Sequence, residues 1–232
     1  MESEFLDALH RDLANDFDAG EGSGARLVQA CRDATDVTGA GIMLMADGQH
    51  RGTVGASDAA IAVVEELQFT LGEGPCIDTF TSGAPVMEPH LRDPDEQRWH
   101  EFSGPALAAG VEAIFGFPLV VGGVRLGALD LYLDHPYVLT AEQYADAVTM
   151  ADVVANAILA LQSRAEPGAL AIELETGAQV RSVVHQASGM LAVQLDIPVV
   201  DALARLRAYA YSEDTSINDV ARAVVNRELR LE

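Results

Sequence analysis

The chain has 232 residues and a mass of 24.6 kDa, 49% of them hydrophobic and 22% charged. That gives room for two small domains with real cores and excludes a disordered tail. Two Cys cannot build a disulfide framework or a four-thiolate zinc site. The six His (10, 50, 90, 100, 135 and 185) have no ligand-like spacing. No metal and no cofactor is therefore expected, and the setting expected is a reducing cytoplasm. The acidic N-terminus, MESEFLDALHRDLANDFDAG, lacks the apolar run of a signal peptide. No stretch approaches the roughly 20 uncharged apolar residues that would span a bilayer, so no membrane association is expected.

The formal net charge is −22, and all 14 basic residues are arginine. Without lysine, neither a P-loop phosphate grip nor a Schiff base is available. The acidity is uneven. Residues 1–166 carry eight Arg against 27 acidic residues, whereas residues 167–232 carry six against nine. Glu166-Pro167-Gly168 marks the change with a turn signal. Two domains are expected, 1–166 and 167–232.

In the first region, Phe5 to Phe17 and Leu27 to Val37 have helical spacing. Ala40–Ala46 and Gly52–Ala56 are short strands around Asp47-Gly48, a hairpin turn. Asp58–Gln68 follows as a helix with Ser57 as its expected N-cap. After the Gly-rich segment Leu71–Cys76 comes a loop leading to a helix that contains Trp99. Ile114–Val121 and Val124–Leu133 then form a second hairpin about Gly122-Gly123. Leu129, Leu131 and Leu133 alternate with Asp130, Tyr132 and Asp134, which predicts a half-buried strand. Thr140 and Gln143 form a capping box that opens a long helix. This order predicts an α+β fold, an antiparallel sheet with packed helices.

The second region reads as all-α. Val180, Val184, Ala187 and Leu191 form one stripe; Ala202, Leu203, Leu206 and Ala210 follow Pro198; Ser216 to Asp219 opens a third helix with Val220, Val224 and Val225 inside. Ala187, Gly189, Ala202 and Ala210 are small enough to let helices approach closely.

Residues 39–161 resemble a GAF domain of the actinobacterial kind, through GAGIMLMADG (39–48), LQFTLGEGPCIDTFTSGAPV (67–86) and FPLVVGGVRLGALDLYL (117–133). Residues 180–225 resemble an ANTAR domain, through Gln186-Ala187-Ser188-Gly189, the DALARLR run at 201–207 and Asp219-Val220-Ala221. The resemblance implies a sensor followed by an output module that binds RNA stem-loops as a dimer and favours antitermination. Three cations of the ANTAR pattern are missing: Ser188 stands for a Lys, and Thr215 and Ser216, after Asp214 in place of an Asn, stand for two basic residues. Leu203 replaces an aromatic.

Arg181, Arg205, Arg207, Arg222, Arg227 and Arg230 are the cations available to hold a phosphate backbone, with Arg205 and Arg207 expected as the main contact. Tyr209 and Tyr211 could stack on bases; residues two apart on a helix diverge, so one of them is expected in the core. Ser188, Thr215 and Ser216 match RNA-contacting positions of the resemblance.

In the sensor, Glu73 reads as a polar hook of a loop closing over a small-molecule ligand. Cys76 reads either as a thiol activated at a helix start, a redox switch, or as a small buried residue in a capped turn. No nucleophile elbow, nucleotide loop or HExxH motif occurs, so no catalytic residue is expected. The long helix from Thr140 has two apolar stripes, Val148/Ala151/Ala155/Ile158 and Ala147/Met150/Val154/Leu161. They predict a parallel homodimer, coiled through this helix and a helix over Leu170–Leu195. The rival reading is a dimeric sensor whose ANTAR unit has lost RNA and contacts a protein.

Overall fold

The computed structural model describes residues 23–46, 49–93, 98–164, 179–213 and 215–231. The helix expected at Phe5–Phe17, the Asp47-Gly48 turn, Asp214 and the 166–168 boundary lie outside them. The chain divides into two compact units, Met1–Leu170 and Ala171–Glu232.

In the first unit the elements are α1 (Ser23–Thr35), β1 (Gly39–Ala46), β2 (Gln49–Ala56), α2 (Ala59–Leu71), α3 (Pro75–Ser82), β3 (Val86–Glu88), α4 (Ser103–Ala108), β4 (Ala113–Val121), β5 (Val124–Leu133) and α5 (Ala141–Arg164). The strands form one sheet in the order β2-β1-β5-β4-β3, every neighbour antiparallel. Helices α1 and α5 cover one face; α2 and α3 cover the other, with α4 against α2. The Thr140/Gln143 box forms as expected, each residue's amide held by the other's side chain at 3.1 and 3.2 Å. Gln143 Nε2 also donates to the Thr35 carbonyl at 3.1 Å, which ties the start of α5 to the end of α1.

Four expectations need correction here. The cap of α2 is Asp58, not Ser57: Asp58 Oδ1 accepts from the Ala60 and Ile61 amides at 2.9 and 3.1 Å. A carboxylate offers more acceptor sites than a hydroxyl, and Ser57 braces it, donating to Asp58 Oδ2 while accepting from the Ala40 amide. Strand β5 is not half-buried, because Asp130 is 0% exposed and Tyr132 is buried as well. Both faces of a sheet covered by helices are dry. Trp99 precedes α4 instead of lying in a helix; it is buried edge-on to Phe102 in a cluster with Ile61, Val64 and Ile114, and donates its Nε1–H to Asp78 at 3.1 Å. Finally, both apolar stripes of α5 are largely covered within the chain. Ala147, Met150, Ala151, Val154, Ala155 and Ile158 are all buried, leaving Tyr144, Val148 and Leu159 exposed. The sheet takes one side of the helix and α1 the other.

The second unit comprises α6 (Gln179–Leu195), α7 (Val199–Ser212) and α8 (Ile217–Val225), each packed on the other two. Its core is Val184, Ala187, Leu191, Ala202, Leu203, Leu206, Ala210, Ile217, Val220, Ala221 and Val224. Of the proposed Leu170–Leu195 helix, the described part begins at Gln179. Ser216 caps α8, accepting from the Asn218 amide at 3.1 Å. Gly189 does not serve close packing: a Cβ there would meet nothing within 4 Å. No described helix is long and apolar enough to cross a membrane.

Candidate functional site

The first unit keeps its chemistry between the sheet and helices α2 and α3. Asp130 projects from β5 toward α2, and its register partners are Gly41 on β1 and Gly116 on β4. Neither neighbour has a side chain, so helix side chains fill both places. A Cβ at Gly41 would collide with Glu65 Oε1 from α2, and one at Gly116 with Thr79 Oγ1 from α3. The Asp130 carboxylate thus has a buried oxygen-bearing side chain over each adjacent strand. Gln68, also from α2, donates its Nε2–H to Asp130 Oδ2 at 2.6 Å and accepts the Cys76 amide at 2.7 Å. Asp130 Oδ1 and Thr79 Oγ1 are buried without a hydrogen-bond partner among the described residues. Burial pushes the Asp130 carboxyl up to about 7, partly offset by the Gln68 hydrogen bond.

Cys76 sits as expected in the first turn of α3, after Pro75. Of the two readings of this thiol, the small buried residue is the one that forms, not the activated nucleophile. Cys76 is 0% exposed, and its thiol is pushed well above the ordinary range by burial first and then by the negative Asp130 and Glu65. A helix N-terminus cannot outweigh complete loss of water plus two nearby carboxylates. Its Sγ instead contacts Met43 Sδ at 2.9 Å and Met45 Sδ at 3.8 Å, both from β1. Glu73 does act as a hook, but on the chain itself: its Oε1 accepts from the Glu101 and Phe102 amides at 2.7 and 2.8 Å, fixing the entry to α4. The sequence reading missed Glu65, Gln68, Thr79 and Asp130. The available signal was Glu65 and Gln68 falling on the same apolar stripe as Ile61 and Val64.

In the second unit the expected RNA contacts divide. Arg205 and Arg222 are exposed, as are Thr215 and Ser216, the last engaged as a cap. Arg222 is within 3.3 Å of Asp219. Arg207 is half-buried, and burial draws its guanidinium down to about 10, still fully charged at neutral pH. Residues two apart on α7 diverge, so Arg205 shares a face with half-buried Tyr209, and Arg207 with Tyr211, which is 63% exposed. Neither tyrosine is in the core. Ser188 is buried, its hydroxyl donating to the Val184 carbonyl at 2.7 Å, so it is a packing residue of α6 and reaches no surface. Arg181 lies on α6, its side chain outside the described atoms.

The comparisons agree with this architecture. The GAF domain family matches residues 25–159, more than half of the chain, and the ANTAR domain family matches residues 173–225. Solved structures similar to the chain include the GAF domain of a phosphoenolpyruvate-protein phosphotransferase from Coxiella burnetii, 15% identical, covering 68% of this chain and 95% of that one with a TM-score of 0.49. The GAF domain of the corresponding Acinetobacter protein is 13% identical, covering 72% and 99% at 0.48. Free methionine-R-sulfoxide reductase from Neisseria meningitidis is 14% identical, covering 69% and 89% at 0.47. No curated protein sequence matches the chain. With its five-stranded antiparallel sheet between helices and its three-helix C-terminal unit, the chain belongs to the GAF domain family and carries an ANTAR domain behind it.

Proposed function

We propose that this chain is a signal-responsive RNA-binding regulator of transcription antitermination, acting in the cytoplasm without catalysis of its own. GAF domains are sensors and ANTAR domains are RNA-binding antiterminators, so the family pairing supports a sensor coupled to an RNA output. The observation that carries the reading is the exposed α7 and α8 surface. There Arg205 and Arg222 stand on the unit with nearly balanced charge, in contrast to the strongly acidic composition of the first 166 positions. Phosphate contacts hold an RNA and surface aromatics stack on its unpaired bases, roles that fit Arg205, Arg222, exposed Tyr211 and half-buried Tyr209. A homodimer would present two such units to paired stem-loops. Tyr144, Val148 and Leu159, the large apolar side chains exposed among the described ones of α5, would help to join two copies.

Sequencing RNA crosslinked to the full-length protein in cells tests this. Enrichment of tandem hairpins upstream of genes supports it, and a crosslink profile matching total RNA removes it. A monomeric mass at micromolar concentration removes the dimer. A second reading rests on Val193, 85% exposed, with Val199 and Tyr211 also exposed on the same unit. Apolar side chains left in water favour a protein partner over RNA, and under that reading crosslinking recovers no RNA.

A further inference from the structure

Three sulfur atoms meet in the sensor interior. Strand alternation sends Met43 and Met45 to the same side of β1, and Cys76 enters from the first turn of α3. Cys76 Sγ is 2.9 Å from Met43 Sδ and 3.8 Å from Met45 Sδ, and all three residues are buried, with Ala128 beneath them and Ile77 and Phe80 packed against them. The Gln68 carbonyl fixes the Cys76 amide, so the thiol is set in place by a side chain that also holds Asp130. Ordinary core packing accounts for two methionines in a gap. It does not call for a thiol aimed at both of them next to two buried carboxylates.

We propose that Cys76, Met43 and Met45 form a binding site for a soft monovalent metal ion, copper(I) being the ion this donor set fits. Thiolate and thioether sulfurs are soft ligands that select Cu(I) over hard or borderline cations. Among the described residues no three His, Cys, Asp or Glu side chains gather as a metal site, so zinc's usual ligand set is not offered here. The electrostatics agree. Asp130 and Glu65 act against a bare thiolate at Cys76, and the same negative field favours a cation placed on that sulfur. Binding is an exchange: the S–H bond breaks, the proton leaves to solvent and a sulfur–copper bond forms, with no change of oxidation state. One positive charge replaces another, so the buried site keeps its net charge. The inference is independent of whether the helical unit binds RNA.

Anaerobic titration of the reduced full-length protein with Cu(I), in competition with the chelator bicinchoninate, tests it. One equivalent of copper per chain should be withdrawn from the chelator, with sulfur-only scattering in the X-ray absorption spectrum. Cys31→Ser should leave binding unchanged, since Cys31 lies in α1. Cys76→Ser should lower the affinity at least tenfold. Met43→Leu/Met45→Leu conserves volume and keeps the thiol, so its melting curve should stay close to wild type while its copper affinity falls. Failure to withdraw copper, nitrogen or oxygen ligation, zinc binding as tight as copper, or unchanged affinity in the folded double variant would each overturn the proposal.

Discussion

Gln68 holds Asp130 and the start of α3 together: its amide nitrogen donates to Asp130 Oδ2 at 2.6 Å while its carbonyl oxygen accepts the Cys76 amide at 2.7 Å. All three residues are buried. Replacing Gln68 with Leu keeps a side chain of similar length but orphans one buried acceptor and one buried donor. Each orphan costs about 1–3 kcal/mol, so Gln68→Leu should lose about 2–6 kcal/mol of stability. Urea unfolding at pH 7 checks this; a midpoint within error of wild type would mean that water reaches the cluster.

Asp130 gives the first unit a pH dependence of unusual sign. An unfolded Asp titrates near 3.9, whereas in the folded chain burial raises this carboxyl to about 7. Between pH 4 and 7 the folded state therefore keeps a proton that the unfolded state has lost. Over that window its contribution falls as pH rises, by about 1.4 kcal/mol per unit, and levels off above 7 where both states are ionised. Asp130→Asn preserves the Gln68 hydrogen bond through its carbonyl and removes the charge. The variant should match wild type near pH 4 and melt progressively higher as pH rises to 8. Parallel melting curves for the two proteins across pH 5–8 would contradict the assignment.

What could be read from the chain beforehand follows a physical divide. Gly122-Gly123, the Thr140/Gln143 box and the Ser216 cap are local codes, in which residues within four positions settle the geometry, and they form as expected. Asp130 was misplaced on a solvent face because a polar residue alternating with Leu looks the same whether water or a second layer of helices lies above it. Only the Gly41 and Gly116 flanks and the overlying Glu65 and Thr79 distinguish the two, and these come from four other elements. The two readings of Cys76 stayed open for the same reason: the sequence shows its helix start but not the carboxylates 11 residues before and 54 after it, which decide for the buried residue.

Gly189 sits in mid-helix with open space where a Cβ would be. Glycine in a helix interior is less favourable than alanine by about 0.8–1 kcal/mol, chiefly through the entropy of the unfolded chain. Gly189→Ala should stabilise the helical unit by roughly that amount. Hydrogen exchange along α6 in the full-length protein reads the change locally. A loss of protection would show that the position is covered in solution by something the single chain lacks.

Arg205 and Arg207 are two residues apart on α7 and should behave differently when truncated. Arg205 is exposed and shares its face with Tyr209, so Arg205→Ala should leave the unfolding free energy within about 0.5 kcal/mol of wild type. If it touches a phosphate, the same change should weaken binding to every hairpin alike and reduce the salt slope by about one unit. Arg207 is half-buried with a desolvated guanidinium. Its aliphatic stem packs as well as carrying charge, so Arg207→Ala should cost about 1–2 kcal/mol of stability. Any loss of RNA affinity in that variant would then follow from a loosened α7, and lowering the temperature should restore it. Equal salt slopes for the two variants would place both arginines on the phosphates and contradict the separation that burial imposes between them.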